Sequence, residues 1–194
     1  MSDRAQQMRL IEALLFAATE PLDEDAVARH LDEPTGIREL LRELAESYAG
    51  RGVNLVRLAG GWAFRTAPDL APKLRIERVV ARKLSRAAVE TLAVIAYHQP
   101  VTRAEIEQIR GVAAAKGTID TLMEAGWVRP KGRRAEPGRP LLWVTTREFL
   151  IHFGLADLNE LPGLEELRAA GLLELAPIGL TERADEANGE DRSG

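Results

Sequence analysis

GWVRPKGRRAEPGRPLLWVTT, residues Gly126 to Thr146, sets five cations and three prolines between two short apolar runs. The runs read as strands, and the Pro137-Gly138 pair between them is a turn signal. The prolines at 137 and 140 restrict the backbone, while Gly138 admits a turn conformation closed to other residues. The stretch is therefore expected to be a stiff, basic β-hairpin. A preorganised loop loses little entropy on docking, which suits a phosphate surface or a protein surface equally.

Upstream, SRAAVETLAVIAYHQP (Ser85 to Pro100) reads as a helix stopped by proline, with Val89, Leu92, Ala93 and Ala96 on its apolar face. In the TRAE that follows, Thr102 and Glu105 make a capping box that opens a second helix. A third helix turns Ala115, Ile119, Leu122 and Met123 inward before Gly126 closes it. The same order is written once before. MRLIEALLFAATEP places Met8, Ile11, Leu14, Leu15 and Ala18 on one stripe and ends at Pro21, which precedes Pro100 by 79 positions. Asp23 caps DEDAVARHL, and IRELLRELAESY carries Ile37, Leu40, Leu41 and Leu44 inward. VNLVRLA and WAFRTA, joined by Gly60-Gly61, complete a hairpin in which Trp62 takes the place of Trp143.

Three helices followed by a two-stranded hairpin is the winged-helix pattern. The expected fold class is α+β, mainly α, with two tandem winged-helix domains over residues 1–80 and 81–156. The connector APKLRIERVVARK, Ala71 to Lys83, contains no glycine and reads as helical after Pro72, a semi-rigid link. Residues 157–194 form an acidic segment in which LPGLEELRAAGLLEL suggests one short helix, and the tail beyond Pro177 has the composition of disorder.

Composition excludes several classes of function. The 194 residues contain no cysteine, so disulfides, thiolate metal sites and cysteine nucleophiles are ruled out. The apolar run LIEALLFAA is broken by Glu12 and falls far short of the roughly 20 residues that span a bilayer, so a soluble, cytoplasmic protein without membrane contact is expected. His30, His98 and His152 lie too far apart for a metal site or a serine–histidine triad. GVAAAKGT, Gly111 to Thr118, exchanges the lysine and glycine of a phosphate-binding loop and follows a helix rather than a strand. No catalytic, cofactor or metal site emerges, and the chain is not expected to be an enzyme.

Charge is uneven. Residues 1–80 carry 11 cations against 13 anions, residues 81–156 carry 12 against 7, and residues 157–194 carry 3 against 10. A winged-helix DNA-binding transcriptional regulator is the alternative reading, because such folds lay their third helix in the major groove. The third helices are poorly equipped for it. VAAAKGTIDT offers one lysine, an aspartate and alanines, and Arg38 and Arg42 stand beside Glu39, Glu43 and Glu46. Only the hairpin is basic, with Lys131, Arg133 and Arg134 as candidates for weak, non-specific DNA contact.

The runs LSRAAVETLAVIAYHQPVTRAEIEQIRGV (Leu84 to Val112) and GRRAEPGRPLLWVTTREFLIHFGL (Gly132 to Leu155), with LNELP (Leu158 to Pro162), resemble the segregation and condensation protein B family; LIEALLFAATEPL extends the likeness toward the N-terminus. The resemblance implies a nucleoid-associated subunit of a bacterial condensin-like complex, a homodimer formed mainly through the N-terminal domains. It also implies a C-terminal domain that holds the central segment of the kleisin (segregation and condensation protein A) and, through it, SMC. Candidate kleisin contacts are Tyr97, Gln99, Arg103, Ile106, Arg110, Arg139 and Trp143. Candidate dimer contacts are Leu10, Leu14, Phe16 and Leu22.

Overall fold

The computed structural model describes residues 3–31, 36–74, 82–113, 117–161, 163 and 177–178, and over these the chain is α+β. It opens with α1, Asp3–Ala17, whose Ile11 and Leu15 are buried and whose Met8 packs beside them. Leu14, read as a member of that stripe, is only half-buried, because the core takes a narrower arc of the helix than the sequence offers. The Asp23 carboxylate accepts the Ala26 N–H at 2.6 Å and starts α2, Glu24–Ala28. In α3, Ile37–Ser47, Leu40, Leu41 and Leu44 are buried and Ile37 packs at the edge, as the 3.6-residue period requires.

Strands β1, Val53–Leu58, and β2, Gly61–Thr66, pair antiparallel with Leu58 opposite Gly61. The turn is therefore Ala59-Gly60, one residue earlier than Gly60-Gly61. Both turn residues have positive φ, 48° and 78°, the requirement of a tight hairpin turn that follows the strand twist. Gly61 is a glycine for another reason. Leu22 bridges to Trp62 through two main-chain hydrogen bonds of 3.0 and 2.8 Å, and a Cβ on Gly61 would lie 2.8 Å from the Leu22 carbonyl oxygen.

The second set of elements begins after β3, Arg82–Lys83, which pairs with β7, Pro177–Ile178. Ser85 caps α4, Arg86–His98, by accepting the Ala88 N–H. The buried residues of α4 are Ala88, Thr91, Leu92, Ile95 and Ala96; Val89 and Ala93 are only half-buried. This helix is apolar nearly all round, so periodicity does not single out the inward face. Strand β4, Val101–Thr102, runs into α5, Arg103–Arg110, and then comes α6, Thr118–Glu124. Ile119 and Leu122 of α6 are buried, but Met123 is 40% exposed, and Ala115 falls outside the described residues.

Strands β5, Val128–Arg133, and β6, Leu141–Thr145, form the hairpin, and β6 lies between β5 and β4 in a three-stranded sheet. The third strand is two residues long, too short for any alternating pattern to announce it. Thr146 caps α7, Arg147–Phe153, which brings Phe149 into a core shared with Ile95, Val101, Ile106, Leu122, Trp127 and Val128.

Two short segments join the two sets. The Ala59 and Gly60 N–H groups donate to the Leu155 and Ala156 carbonyls at 2.9 and 2.8 Å. Arg147 donates to the Pro21 carbonyl at 2.6 Å and lies 3.6 Å from Glu20. Of the connector, Ala71–Leu74 is a 3-10 turn and residues 75–81 fall outside the described residues. So do most of the segment expected to form a final helix and the tail from residue 179.

Candidate partner-binding surface

The base of the hairpin is pinned by one carboxylate. The capping box predicted at Thr102 and Glu105 forms: Thr102 Oγ1 accepts the Glu105 N–H, and Glu105 Oε2 accepts the Thr102 N–H at 2.8 Å. The other oxygen of Glu105 accepts from Arg134 at 2.6 Å. The Arg134 guanidinium, the Thr102 N–H and the Thr102 hydroxyl together hold the Glu105 carboxyl down from its ordinary value of 4.5 to about 2. Arg134 thus turns back onto α5 instead of facing outward beside Lys131 and Arg133. Further out, Gly132 at φ 74° sits in a bulge between Pro130 and Arg133, and Arg139 donates its N–H to Glu136 across a turn in which Gly138 has φ 82°.

Because the folded carboxyl titrates below the unfolded one, its stabilisation is whole above pH 4.5 and is lost as pH falls from 4.5 toward 2. The carboxylate side chain is 36% exposed, so after solvent screening the contribution is about 1 kcal/mol. Glu105→Gln is expected to lose that amount at neutral pH and to flatten the acid limb of stability, measured by urea unfolding at a series of pH values. A variant whose acid limb runs parallel to that of the unsubstituted chain would show that this carboxyl titrates normally.

The expected kleisin contacts divide by environment. Gln99 ties the end of α4 to the sheet: its Oε1 accepts the Thr145 N–H at 2.7 Å and its Nε2 donates to Thr145 Oγ1 at 2.9 Å. Ile106 is fully buried in the core. The Arg110 side chain is 5% exposed and donates to Glu90 at 3.1 Å, while its Nε and Nη1 have no hydrogen-bond partner among the described residues. Glu90 also accepts from Arg86, and these two guanidinium groups lower its pKa, Arg86 contributing most. Tyr97 and Trp143 are half-buried against the core, with Trp143 opposite Val101 on one side and Pro130 on the other. Arg103, which pairs with Glu107, and Arg139 are exposed. Arg103 and Arg110 stand at opposite ends of α5, roughly 10 Å apart along its axis, so the seven residues do not form one cluster.

The hairpin cations are divided too. Arg133, opposite Leu141, shares the sheet face of Trp143, whereas Arg129, opposite Val144, lies on the other face. The expected dimer contacts also separate. On α1, Leu10 and Leu14 follow one line and Phe16 another, about a third of a turn round, and Leu22 packs against the first core. Phe16 instead joins Arg9, Glu12, Ala13, Tyr48, Val53 and Phe64 around an open cavity of about 430 Å³. Sequence reasoning missed this cavity because two of its four α1 positions are charged and read as a solvent face. It missed the Arg134–Glu105 pair because nothing in a sequence marks a contact across 29 residues.

Among the described residues no group of histidine and acidic side chains is placed to hold a metal ion, and no helix is long and apolar enough to cross a membrane. His30 donates from Nδ1 to the Ala26 carbonyl at 3.0 Å, and the His152 ring lies 4.4 Å from Trp127, where burial lowers its pKa.

The family model described as segregation and condensation complex subunit ScpB matches residues 9–164, and the chain belongs to that family. It is 48% identical over 172 residues to the segregation and condensation protein B of Desulforamulus reducens, across 87% of this chain and 94% of that one. With the protein of the same name from Moorella thermoacetica the identity is 46% over 164 residues, across 82% and 84%. Among solved structures, ScpB from Mycobacterium tuberculosis is 34% identical across 80% of this chain and 99% of that one, with a TM-score of 0.36. Membership implies a role in chromosome segregation and condensation.

Proposed function

We propose that the chain is a non-enzymatic adaptor of a bacterial SMC–kleisin complex, acting at the nucleoid in chromosome condensation and partition during cell division. In this reading residues 81–156 clasp an extended stretch of the kleisin, residues 1–80 pair with a second copy, and each half is a winged-helix domain. The order of three helices and a hairpin, present twice, supports the twin-wing description.

The observation that carries the adaptor reading is what the two third helices present outward. On α3 the exposed side chains are Arg38, Glu39, Arg42, Glu43, Glu46 and Ser47, with Arg38 held by Glu24 at 3.2 Å and Glu43 by Arg4 at 2.6 Å. On α6 they are Asp120, Thr121, Met123 and Glu124. A duplex backbone brought to either helix meets carboxylates, which repel phosphate and release no counterions. Family membership supplies the assembly in which such a chain serves.

Calorimetry with the full chain and the kleisin from the same cell is expected to give a saturable, sub-micromolar complex, while duplex binding stays weak and indifferent to sequence. Absence of kleisin binding, together with tight binding to a preferred duplex that weakens steeply with salt, would overturn the adaptor reading in favour of a DNA-binding regulator.

A further inference from the structure

Arg129, Lys131, Arg133 and Arg139 of the β5–β6 hairpin are all exposed, and among the described residues no carboxylate lies within ion-pair distance of any of them. The single acid of the hairpin, Glu136, lies 3.8 Å from Arg134, whose guanidinium is already spent on Glu105. Free positive charge is thus carried on a frame that the Arg134–Glu105 pair holds still. The tip is braced as well. Arg133 donates from Nη1 to the Arg139 carbonyl at 2.9 Å, and the Arg134 N–H donates to the Pro140 carbonyl at 3.0 Å. Arg139 holds φ at 40°, in the left-handed region where a glycine would be free of strain; only Ala59 among the described non-glycine residues shares a positive φ. Strand β5 is the outer strand of its sheet, yet Pro130 has no N–H and the bulge around Gly132 breaks the ladder, so a partner strand cannot pair along it. Contact at this edge is left to charge.

We propose that the hairpin is a sequence-indifferent binding site for duplex DNA. Arg129 and Arg133 lie on opposite faces of the hairpin, a layout that one flat surface cannot satisfy but the two phosphate rows flanking a DNA groove can. Lys131 stands between them along the edge, and Arg139 carries the charge on to the tip. A protein partner would call for an apolar anchor, and the exposed run from Arg129 to Arg133 offers only Pro130. A single nucleic-acid strand would call for an exposed aromatic ring to stack on, but Trp127 is buried and Trp143 is half-buried against the core. Phosphate rows need neither, because neutralising them releases counterions wherever cations are held in reach. The site goes beyond the adaptor reading and does not depend on kleisin binding; the role that family membership implies puts duplex DNA at hand.

Fluorescence anisotropy of the full chain with a labelled DNA duplex tests the site. Four neutralised phosphates give a log–log salt slope of about −3.6, an affinity loss of about 150-fold between about 50 and 200 mM salt. Arg129→Gln, Lys131→Gln and Arg139→Gln are each expected to make the slope shallower by about 0.9. Arg65→Gln, the same charge change on the first hairpin, is expected to leave it as it is, and so is Arg129→Lys, since phosphate asks only for charge. A slope that the three neutral variants leave unchanged, or that Arg65→Gln reduces as much, would overturn the site. Displacement of the duplex by polyglutamate at equal charge concentration would overturn it too, and would assign the hairpin to an acidic protein segment. Kleisin binding without any duplex binding would overturn this site and leave the adaptor reading standing.

Discussion

Ile106→Ala is expected to lower the stability of the folded chain by about 3 kcal/mol and its melting midpoint by roughly 6–12 °C. Ile106 is fully buried where α5 meets Leu92, Ile95, Leu122 and Phe149, and truncation removes three carbons from a packed site that α4 and the sheet keep from closing. The substitution separates two roles for the same residue. As a core residue it moves the thermal or urea midpoint, and kleisin affinity falls only as the folded fraction falls. A variant that melts like the unsubstituted chain yet loses kleisin binding would make Ile106 a contact, and the core described above would be wrong at that point. Ile106→Val, which removes one methyl group, is expected to cost about 1 kcal/mol and serves as the graded control.

Gly61→Ala is expected to destabilise by about 1–3 kcal/mol, because its methyl group meets main chain that has no room to move. The added carbon would lie 2.8 Å from the Leu22 carbonyl oxygen and 2.9 Å from its carbon. The Leu22–Trp62 bridge must open, and Trp62, buried over the first core, moves with it. Gly60→Ala provides the contrast. Nothing lies within 4 Å of the added atom there, and the cost comes from holding alanine at φ 78°, about 1 kcal/mol. Chemical denaturation of the two variants should therefore rank Gly61→Ala as the more damaging. Equal or reversed midpoints would mean that the chain at Leu22 is not seated against β2.

Local signals were legible in the sequence wherever they are local in the chain. The Asp23 cap, the Thr102–Glu105 box and the αL glycine at 138 each depend on residues within three positions of one another, and each forms. Inward faces were legible where the helix is amphipathic, as in α3, and less so in α4, whose nearly continuous apolar surface gives no preferred side. The hairpin turn was placed one residue late because two adjacent glycines look alike in a sequence, although one serves the turn and the other the approach of Leu22. The surface was least legible. Gln99, Ile106 and Arg110 have the residue types of contacts, but Thr145, the apolar core and Glu90 engage them within the chain.

The seam between the β1–β2 turn and the segment after α7 is made by the N–H groups of Ala59 and Gly60 and the carbonyls of Leu155 and Ala156. No side chain takes part in those two bonds, so alanine scanning would pass over them without a signal. Composition on either side is free to drift while the two ends stay in step. A proline at 59 or 60 would remove a donor outright. Inserting or deleting a residue in either segment would re-aim one half of the molecule against the other, making loop length rather than residue identity the variable through which its shape changes.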